Sequence, residues 1–389
     1  MESLINKYST KMISAGLAPA GAPLIALLDA DVEWNRHDTL QKTLEQVMAG
    51  LHINSLIFSE LAEPYKTIID YLAVSSAPTI FPEDSETRTF FHDFPVCPTF
   101  SALELISALK HRKNVIVPKA GIVALGSVSP LQAYVSFSSV CFSCFVKFFT
   151  DYLWARRTGR IDKKMEDAFL KVINLLEPPH SPPTLATGPF ASRNDILSAI
   201  SEAGRATVQS RLVDSFFGNI SYLACDILYI SQTASSLDEL EGNIDAVPLD
   251  GSSSVGITAS SEYSAHRQIV NNTSYRAILH GHPKFSVILS LDCKINDCKF
   301  RGSCHTSCPQ KREVCGISIV PGEIGKGLSK TVPAAIAHDP SVIVYGHGVF
   351  TAGVTDFNEP LQRLAAIENA CRAEYFRRAG ISSARQWPL

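Results

Sequence analysis

The stretch Ala277-Ile278-Leu279-His280-Gly281-His282-Pro283 places two histidines one residue apart at the end of an apolar run. In a β-strand, residues i and i+2 project from the same face, so both imidazoles can reach one ion. Two further segments offer ligands: Ser260-Ser261-Glu262 lies upstream, and Val342-Ile343-Val344-Tyr345-Gly346-His347-Gly348 lies downstream. Three imidazoles and one carboxylate around an open position are typical of a catalytic metal site rather than a closed structural one.

The size and composition of the chain narrow the class of protein. At 389 residues it is long enough for two domains, and a hydrophobic content of 46% supports a substantial core. The formal net charge of −3 gives no electrostatic reason to expect nucleic acid or an anionic membrane surface as a partner. No secretory signal is visible at the N-terminus, so we expect a cytoplasmic protein with reduced thiols.

The most apolar helix candidate covers residues 133–154. Its serines, together with Lys147 and Asp151, interrupt the uniform apolar span that a bilayer requires. We therefore expect this helix to be buried or to lie at an interface, and we expect no membrane partner.

The chain divides at a proline cluster, Glu177-Pro178-Pro179-His180-Ser181-Pro182-Pro183, which cannot propagate a helix and predicts a linker. Before it, short apolar runs alternate with helix-compatible stretches, and the pattern restarts at Ser192. Residues 237–256 are polar and are expected to form a loop. We predict two α/β domains, at residues 1–180 and 190–389.

A weak internal repeat joins the two halves, because two pairs of segments read alike: 88–95 with 276–283, and 115–126 with 342–353. In this alignment Phe94 stands at the place of His282, and Ala120 at the place of His347. The first half would then be a related domain that has lost its metal site. The alternative is a chance likeness between two unrelated α/β segments.

The C-terminal half resembles the class II aldolase/adducin family, which includes fuculose- and rhamnulose-phosphate aldolases. Four motifs carry this resemblance in family order: Gly218-Asn219-Ile220-Ser221, Ser260-Ser261-Glu262, His280-Gly281-His282-Pro283 and Gly346-His347-Gly348. The resemblance implies a class II aldolase-like, three-layer α/β/α fold with a mainly antiparallel central sheet. The N-terminal half would be a smaller, degenerate α/β relative.

The resemblance also implies the roles of the site residues. His280, His282 and His347 would hold a divalent metal, most often zinc, with manganese, cobalt and iron as alternatives. Glu262 would be the proton-transfer group. The residues expected to bind a substrate phosphate are Asn219, Thr233, Ser260 and Ser261.

Three features differ from the family pattern or lie outside it. Ala234 stands where the family's Thr-Gly loop has glycine, and alanine is less free to bring its N–H up to a phosphate. The family's catalytic tyrosine cannot be placed. His266 shares a helix face with Glu262, and is either a partner of the site or an ordinary polar helix residue.

The chemistry of the residues agrees with the resemblance. A metal held by three histidines can chelate the oxygens of a hydroxy-ketone and stabilise the enediolate left when a neighbouring bond breaks. We therefore expect a lyase of carbohydrate metabolism, an aldolase acting on a hydroxy-ketone or sugar phosphate. The alternatives are an epimerase, dehydratase or decarboxylase of the same superfamily, and a non-catalytic scaffold of the adducin kind. The resemblance also implies a homo-oligomer.

Five of the ten cysteines lie in one short polar stretch: Cys293, Cys298, Cys304, Cys308 and Cys315. Their spacing matches neither a zinc ribbon nor a ferredoxin run. The alternatives are a second metal centre (zinc or an iron–sulfur cluster), a loop stabilised by disulfides, or free thiols.

Overall fold

A computed structural model describes residues 3–179, 181–214, 216–295, 298–300, 302–323 and 327–381. The chain forms two compact units, Met1–Glu177 and Pro178–Leu389. The boundary between them lies within the proline cluster that sequence analysis interprets as a linker.

The N-terminal unit combines seven helices with seven strands, in the order α1 (Leu4–Ser14), β1 (Leu24–Leu28), β2 (Val32–Trp34), α2 (Gln41–Leu51), β3 (Ser55–Ser59), α3 (Tyr65–Ser75), β4 (Thr79–Ile80), α4 (Ser85–Phe90), β5 (Phe94–Pro95), α5 (Ala102–Leu109), β6 (Asn114–Val117), β7 (Gly121–Gly126), α6 (Pro130–Thr158) and α7 (Lys163–Ile173), counted over its described residues. Five strands form an antiparallel sheet in the order β2-β1-β3-β7-β6. Strands β4 and β5 form a separate pair.

The sheet of this unit is covered by helices that bury its apolar side chains. Leu56 and Val123 share a cluster with Leu44 of α2 and Leu105 of α5, while α6 packs against β3 and β7. Among the described residues, α6 is the one helix long and apolar enough to cross a membrane, but 83% of its most apolar window is buried in the protein. Its polar side chains are accommodated internally, as where Ser143 Oγ donates to Asp84 Oδ1 at 2.6 Å.

The C-terminal unit contains helices and strands in the order α8 (Arg193–Gln209), β8 (Asn219–Ala224), β9 (Ile227–Ser231), β10 (Ile244–Pro248), α9 (Tyr263–Asn272), β11 (Ala277–Gly281), α10 (Lys284–Leu291), β12 (Arg312–Val314), β13 (Ile317–Val320), α11 (Leu328–Ile336), β14 (Ser341–Val344), β15 (Gly348–Gly353) and α12 (Asn358–Arg378), with a 3₁₀ turn at Val255–Ile257. Eight strands form one sheet in the order β10-β9-β8-β11-β15-β14-β13-β12. All neighbours are antiparallel except β13 and β14.

Helices lie on both faces of this sheet. On one face, Ile269 of α9 and Val332 of α11 share a core cluster with Phe350 of β15. On the other face, the next residue along β15, Thr351, donates its hydroxyl to the Pro360 carbonyl of α12 at 2.9 Å. The predicted three-layer α/β/α arrangement with a mainly antiparallel sheet is therefore confirmed for the C-terminal unit.

The prediction of a loop over residues 237–256 is wrong at Ile244–Pro248, which forms the edge strand β10. Asp245 is a buried polar residue within this strand, and it interrupts the apolar pattern that would have predicted a strand from the sequence. Asp245 accepts hydrogen bonds from Gln232 Nε2 at 2.8 Å and from Thr258 Oγ1 at 2.7 Å.

The two units share one strand topology. The order β2-β1-β3-β7-β6 matches the order β9-β8-β11-β15-β14, with the same chain sequence and antiparallel pairing throughout. Residues 115–126 and 342–353 thus hold equivalent places, as sequence analysis aligned them. The alignment of residues 88–95 with 276–283 is wrong, because 88–90 lie in α4 and 94–95 lie in the small β4–β5 pair. The equivalent of the histidine strand β11 is β3.

Candidate metal centre

Two histidines lie at the C-terminal end of the central strand β11. His280 lies within the strand, and His282 follows directly after its last residue, Gly281. His280 Nδ1 donates to the Val349 carbonyl of the neighbouring strand at 3.0 Å, so in the neutral ring Nε2 carries the lone pair. Phe350 stacks on the same imidazole, with ring centroids 3.9 Å apart and an interplanar angle of 13°. His280 is thereby fixed in ring orientation and tautomer.

The tight turn between β14 and β15 delivers the third histidine, His347. Gly346 has a left-handed backbone (φ 61°), which glycine adopts without steric cost. Gly348 is needed for close approach, because a Cβ at this position would lie 2.4 Å from the Gly281 carbonyl oxygen. The two glycines therefore allow His347 to reach the end of β11.

The three imidazoles converge. The Nε2 atoms of His280 and His282 lie 3.0 Å apart, and the ligand nitrogens of all three rings lie within 4.8 Å of one another. All three side chains are buried. In the described part of the chain, this is the only cluster of three or more His, Cys, Asp or Glu side chains with that spacing.

Glu262 immediately precedes helix α9, and its carboxylate lies beside this cluster. Its Oε1 lies 2.9 Å from His347 Nε2, and its Oε2 lies 3.5 Å from His280 Nε2 and accepts a hydrogen bond from Asn219 Nδ2 at 2.8 Å. Burial alone would raise the pKa of the Glu262 carboxyl, but the charge of His280 and the hydrogen bonds from His347 and Asn219 outweigh burial and hold this pKa below its ordinary value. The carboxyl group is therefore ionised at neutral pH.

His282 is held as a neutral imidazole. Its ring stacks on Phe217, with centroids 5.3 Å apart and an interplanar angle of 9°. Burial, followed by the neighbouring His347 and His280, lowers the pKa of His282 well below its ordinary value. Neutral imidazole is the form that binds a metal ion.

The four residues expected to bind phosphate are placed differently from one another. Asn219 is buried and hydrogen-bonded to Glu262, while its Oδ1 has no hydrogen-bond partner among the described residues. Ser260 is buried, and its Oγ accepts from the Glu262 N–H at 3.3 Å, whereas Ser261 is exposed. Thr233 is exposed and donates its hydroxyl to the Ala259 carbonyl at 2.9 Å, which ties its loop to the segment before Ser260.

Ala234 has a left-handed backbone, with φ 59°. The sequence suggests that alanine would restrict this loop, yet the chain here has the conformation that glycine adopts most readily. Ala234 therefore differs from the family pattern in residue type, and as an alanine it is strained in this left-handed conformation.

His266 is a fully buried neighbour of the cluster. Its Nδ1 lies 2.7 Å from Ser221 Oγ, and its ring meets the edge of Phe350, the residue that stacks on His280. Burial lowers the pKa of His266 to about 3. Of the two sequence interpretations, the buried geometry favours a partner that packs behind the site.

Among the described residues, the five cysteines of the polar stretch form no group of three or more with the spacing of metal ligands. A second zinc or iron–sulfur centre there stays one of the alternatives predicted from the sequence. Cys304 is buried against the Phe300 carbonyl. Cys315 lies in the turn between β12 and β13, where its thiol hydrogen-bonds with Cys371 of α12. The described cysteines form no disulfide either. The spacing of the cysteines in the sequence does not predict that Cys315 contacts Cys371, which lies 56 residues later in α12.

Two aromatic rings that orient the histidines, Phe217 and Phe350, are not among the residues predicted from the sequence. Phe217 precedes the Gly-Asn motif, and Phe350 follows the Gly-His-Gly motif by two residues. The alternation along β15 places Phe350 and residue 348 on the same face of the sheet, but nothing local identifies Phe217 as a stacking partner.

Comparison with known proteins agrees with this geometry. Residues 198–375 match the family described as Class II Aldolase and Adducin N-terminal domain. The resemblance predicted from the four motifs is therefore confirmed for the C-terminal half. No curated protein matches the chain.

Several solved structures resemble the C-terminal half. L-fuculose-1-phosphate aldolase from Thermus thermophilus is 20% identical, with a TM-score of 0.39, and the match covers 51% of this chain and all of that one. An aldolase II superfamily protein from Pseudomonas syringae is 18% identical (TM-score 0.37), covering 50% and 79% of the two chains. A sugar-phosphate aldolase from Thermotoga maritima is 16% identical (TM-score 0.34), covering 50% and 98%.

Proposed function

We propose that the C-terminal unit is a metal-dependent lyase of the aldolase type, which breaks or forms a carbon–carbon bond in a hydroxy-ketone or sugar phosphate. The observation that carries this proposal is the convergence of three buried imidazoles with the ionised carboxylate of Glu262. A structural metal site would need no ionised carboxylate held beside its ligands by a separate amide.

The residues present fit a divalent metal. His280, His282 and His347 would hold it, since imidazole nitrogens are preferred ligands of zinc, with cobalt, iron and manganese as alternatives. The hydrogen bond from His280 to the Val349 carbonyl is the outer-shell contact that such ligands usually have. When bound, the metal would supply Lewis-acid stabilisation of negative charge on substrate oxygens.

Glu262 would move the proton. Asn219 donates to its Oε2, and we assign proton transfer with the substrate to Oε1, whose partner within the cluster is His347 Nε2. The lowered pKa keeps this carboxyl group deprotonated, so that it can accept a proton, and burial of the cluster excludes water from the transfer. The unsatisfied Oδ1 of Asn219 is available to accept a hydrogen bond from a substrate hydroxyl.

Two alternatives remain within the superfamily. An epimerase, dehydratase or decarboxylase would use the same ligands, but epimerases that resemble the family usually carry aspartate where this chain has Glu262. A scaffold of the adducin kind typically lacks the histidine ligands, which this chain retains. A cytoplasmic location and a homo-oligomeric assembly stay predictions.

The test is proton exchange at a hydroxy-ketone. Metal-free protein would be loaded separately with zinc, manganese, cobalt or iron(II). Loss of the α-hydrogen of dihydroxyacetone phosphate in D₂O would then be followed by NMR, and cleavage of L-fuculose 1-phosphate by release of the same ketone. Exchange tests the proton-transfer step even when the aldehyde partner is the wrong one.

Three variants separate the roles. His282→Ala should lose metal and exchange together, whereas Glu262→Gln should keep the metal and lose exchange by about 10²-fold or more. The exposed histidine His338, replaced by alanine, is the matched control and should change neither. Exchange that survives in Glu262→Gln, or a protein that binds none of the four metals, would contradict the proposal.

A further inference from the structure

The N-terminal unit has a cavity of about 580 Å³ at the edge of its sheet. It is formed by the loop before β1, the loop before α2, the end of β3 and the β6–β7 turn. The side chains that matter for its chemistry are Arg36, Asp38, Thr39, Phe58, Glu60 and Ala120.

This cavity is the equivalent, in the N-terminal unit, of the metal centre. Phe58 pairs with Val123 in the sheet as His280 pairs with Phe350, so β3 and β11 are in the same register against their neighbours. By that register Glu60 stands at the place of His282. The turn residue Lys119 has φ 66°, close to the 61° of Gly346, and this places the next residue, Ala120, where His347 lies.

All four charged or ligating positions of the metal centre are therefore replaced in the N-terminal unit. The sequence repeat predicts the loss of two of the three histidines, with Phe94 in place of His282, but by the strand register none of the three remains. Leu40, the residue that precedes α2, stands where Glu262 precedes α9. The cavity has been kept without the groups that hold a metal.

The sign of the charge in the cavity follows from the hydrogen bonds. Arg36 Nη1 forms an ion pair with Asp38 Oδ2 at 2.6 Å, while its Nε and Nη2 donate to the carbonyls of Pro23 and Ala22. These two charges cancel each other. Glu60 has no ion-pair partner among the described residues and is exposed, so the charged side chains lining the cavity sum to one negative charge.

We propose that this cavity is a metal-free binding site for a small molecule that carries a protonated amine. The amine would pair with the Glu60 carboxylate, hydroxyl or amide groups would bond to Thr39 and Asp38, and the carbon skeleton would pack on Phe58 and Ala120. A phosphate or carboxylate ligand would be repelled by Glu60. This preference is opposite to that of the C-terminal site, where a bound divalent cation would attract anions.

Three probes of nearly the same shape test the charge preference: D-glucosamine, D-glucose and D-glucose 6-phosphate. Their binding to the full-length chain would be measured by saturation-transfer NMR and calorimetry, at a pH where the amine is protonated. The protein would carry His280→Ala and His282→Ala and would be kept in EDTA, so that the C-terminal centre cannot contribute. We expect glucosamine to bind about two- to fivefold more tightly than glucose, the range of an exposed ion pair, and glucose 6-phosphate to bind more weakly than glucose.

Glu60→Gln should remove the advantage of glucosamine over glucose while leaving the fold intact, because this side chain is exposed. Glu33→Gln is the matched control, since it removes the same charge from an exposed position outside the cavity and should leave the advantage unchanged. Ala120→Leu should weaken both sugars by filling the cavity. Absence of glucosamine binding at about 20 mM, tighter binding of glucose 6-phosphate, or an unchanged preference in Glu60→Gln would overturn the proposal. None of these outcomes bears on the C-terminal reaction, because the metal centre is absent from the test.

Discussion

Replacing Gly348 by alanine should impair metal binding without removing any ligand. A Cβ at this position would lie 2.8 Å from His280 Cε1, 2.9 Å from His282 Cδ2 and 2.4 Å from the Gly281 carbonyl oxygen. Ordinary contacts begin at 3.4 Å, so both rings must shift by about 0.5 Å and the carbonyl by about 1 Å. Metal sites tolerate deviations of only about 0.2 Å in ligand distance.

The expected magnitude follows from this displacement. Disturbance of the groups that orient metal ligands typically weakens binding by 10- to 100-fold, and we expect Gly348→Ala to fall in that range. The crowded packing should also lower the free energy of unfolding by about 1–3 kcal/mol. Zinc affinity would be measured by competition with a chromophoric chelator, and stability by thermal unfolding in EDTA.

Gly353→Ala is the matched control at the other end of the same strand. Its added Cβ would lie 2.7 Å from Pro360 Cδ and 2.9 Å from the Asp356 carbonyl oxygen, so it is crowded to a similar degree but contacts no histidine. It should lower stability and leave zinc affinity within about twofold of the wild type. If Gly348→Ala bound zinc like the wild type, or if both variants lost affinity equally, the proposed effect on the imidazoles would be wrong.

Three further predictions concern strain, thiols and acid stability. Ala234→Gly should raise the free energy of unfolding by about 1 kcal/mol, because it relieves the left-handed backbone of an alanine; a decrease in chemical denaturation would refute this. Burial raises the pKa of both Cys315 and Cys371, whose thiols are hydrogen-bonded, so glutathione disulfide should join them slowly at neutral pH and faster at alkaline pH. Peptide mass spectrometry should detect this link, and its absence at alkaline pH would refute the contact. The hydrogen bond from Arg377, together with Arg378, lowers the pKa of Glu374 from 4.5 to about 2. A lowered pKa contributes stability above pH 4.5 that is lost as the pH falls to about 2. Glu374→Gln should therefore be less stable than the wild type by about 1 kcal/mol at neutral pH and equally stable near pH 2, and a difference that persists at low pH would contradict this assignment.

The convergence of the three histidines could be predicted from the sequence because it depends on local rules. The i, i+2 spacing of His280 and His282 requires only that the segment be extended near its end, and Gly346-His347-Gly348 is recognisable as a turn. The pairing of Asn219 with Glu262 could not be predicted in this way. It joins residues 43 positions apart, and its geometry is set by where β8 and α9 begin rather than by either motif.

Of the two pairs of segments aligned in the internal repeat, the hairpin pair was predicted correctly and the other pair was not. The β6–β7 and β14–β15 hairpins are local, so their sequences align directly. Strand β3 pairs with β1 and β7, and strand β11 pairs with β8 and β15, in each case across a long stretch of chain. No local pattern marks those partners. A likeness in composition between residues 88–95 and 276–283 therefore suggested the wrong strand.

Both units bring the start of one strand (β7 or β15) very close to the end of its neighbour (β3 or β11), so this close approach is a property of the fold and does not depend on a metal. A Cβ at Gly121 would lie 2.0 Å from the Ser59 carbonyl oxygen, just as a Cβ at Gly348 would crowd the carbonyl of Gly281. Both units therefore bring the return strand against the end of the central strand, although only one of them has histidines there. Because the backbone makes this close contact in both units, a few side chains at the end of β3 or β11 decide what each place can bind. One topology can thus provide a cluster of three histidines in the C-terminal unit and a negatively charged cavity in the N-terminal unit.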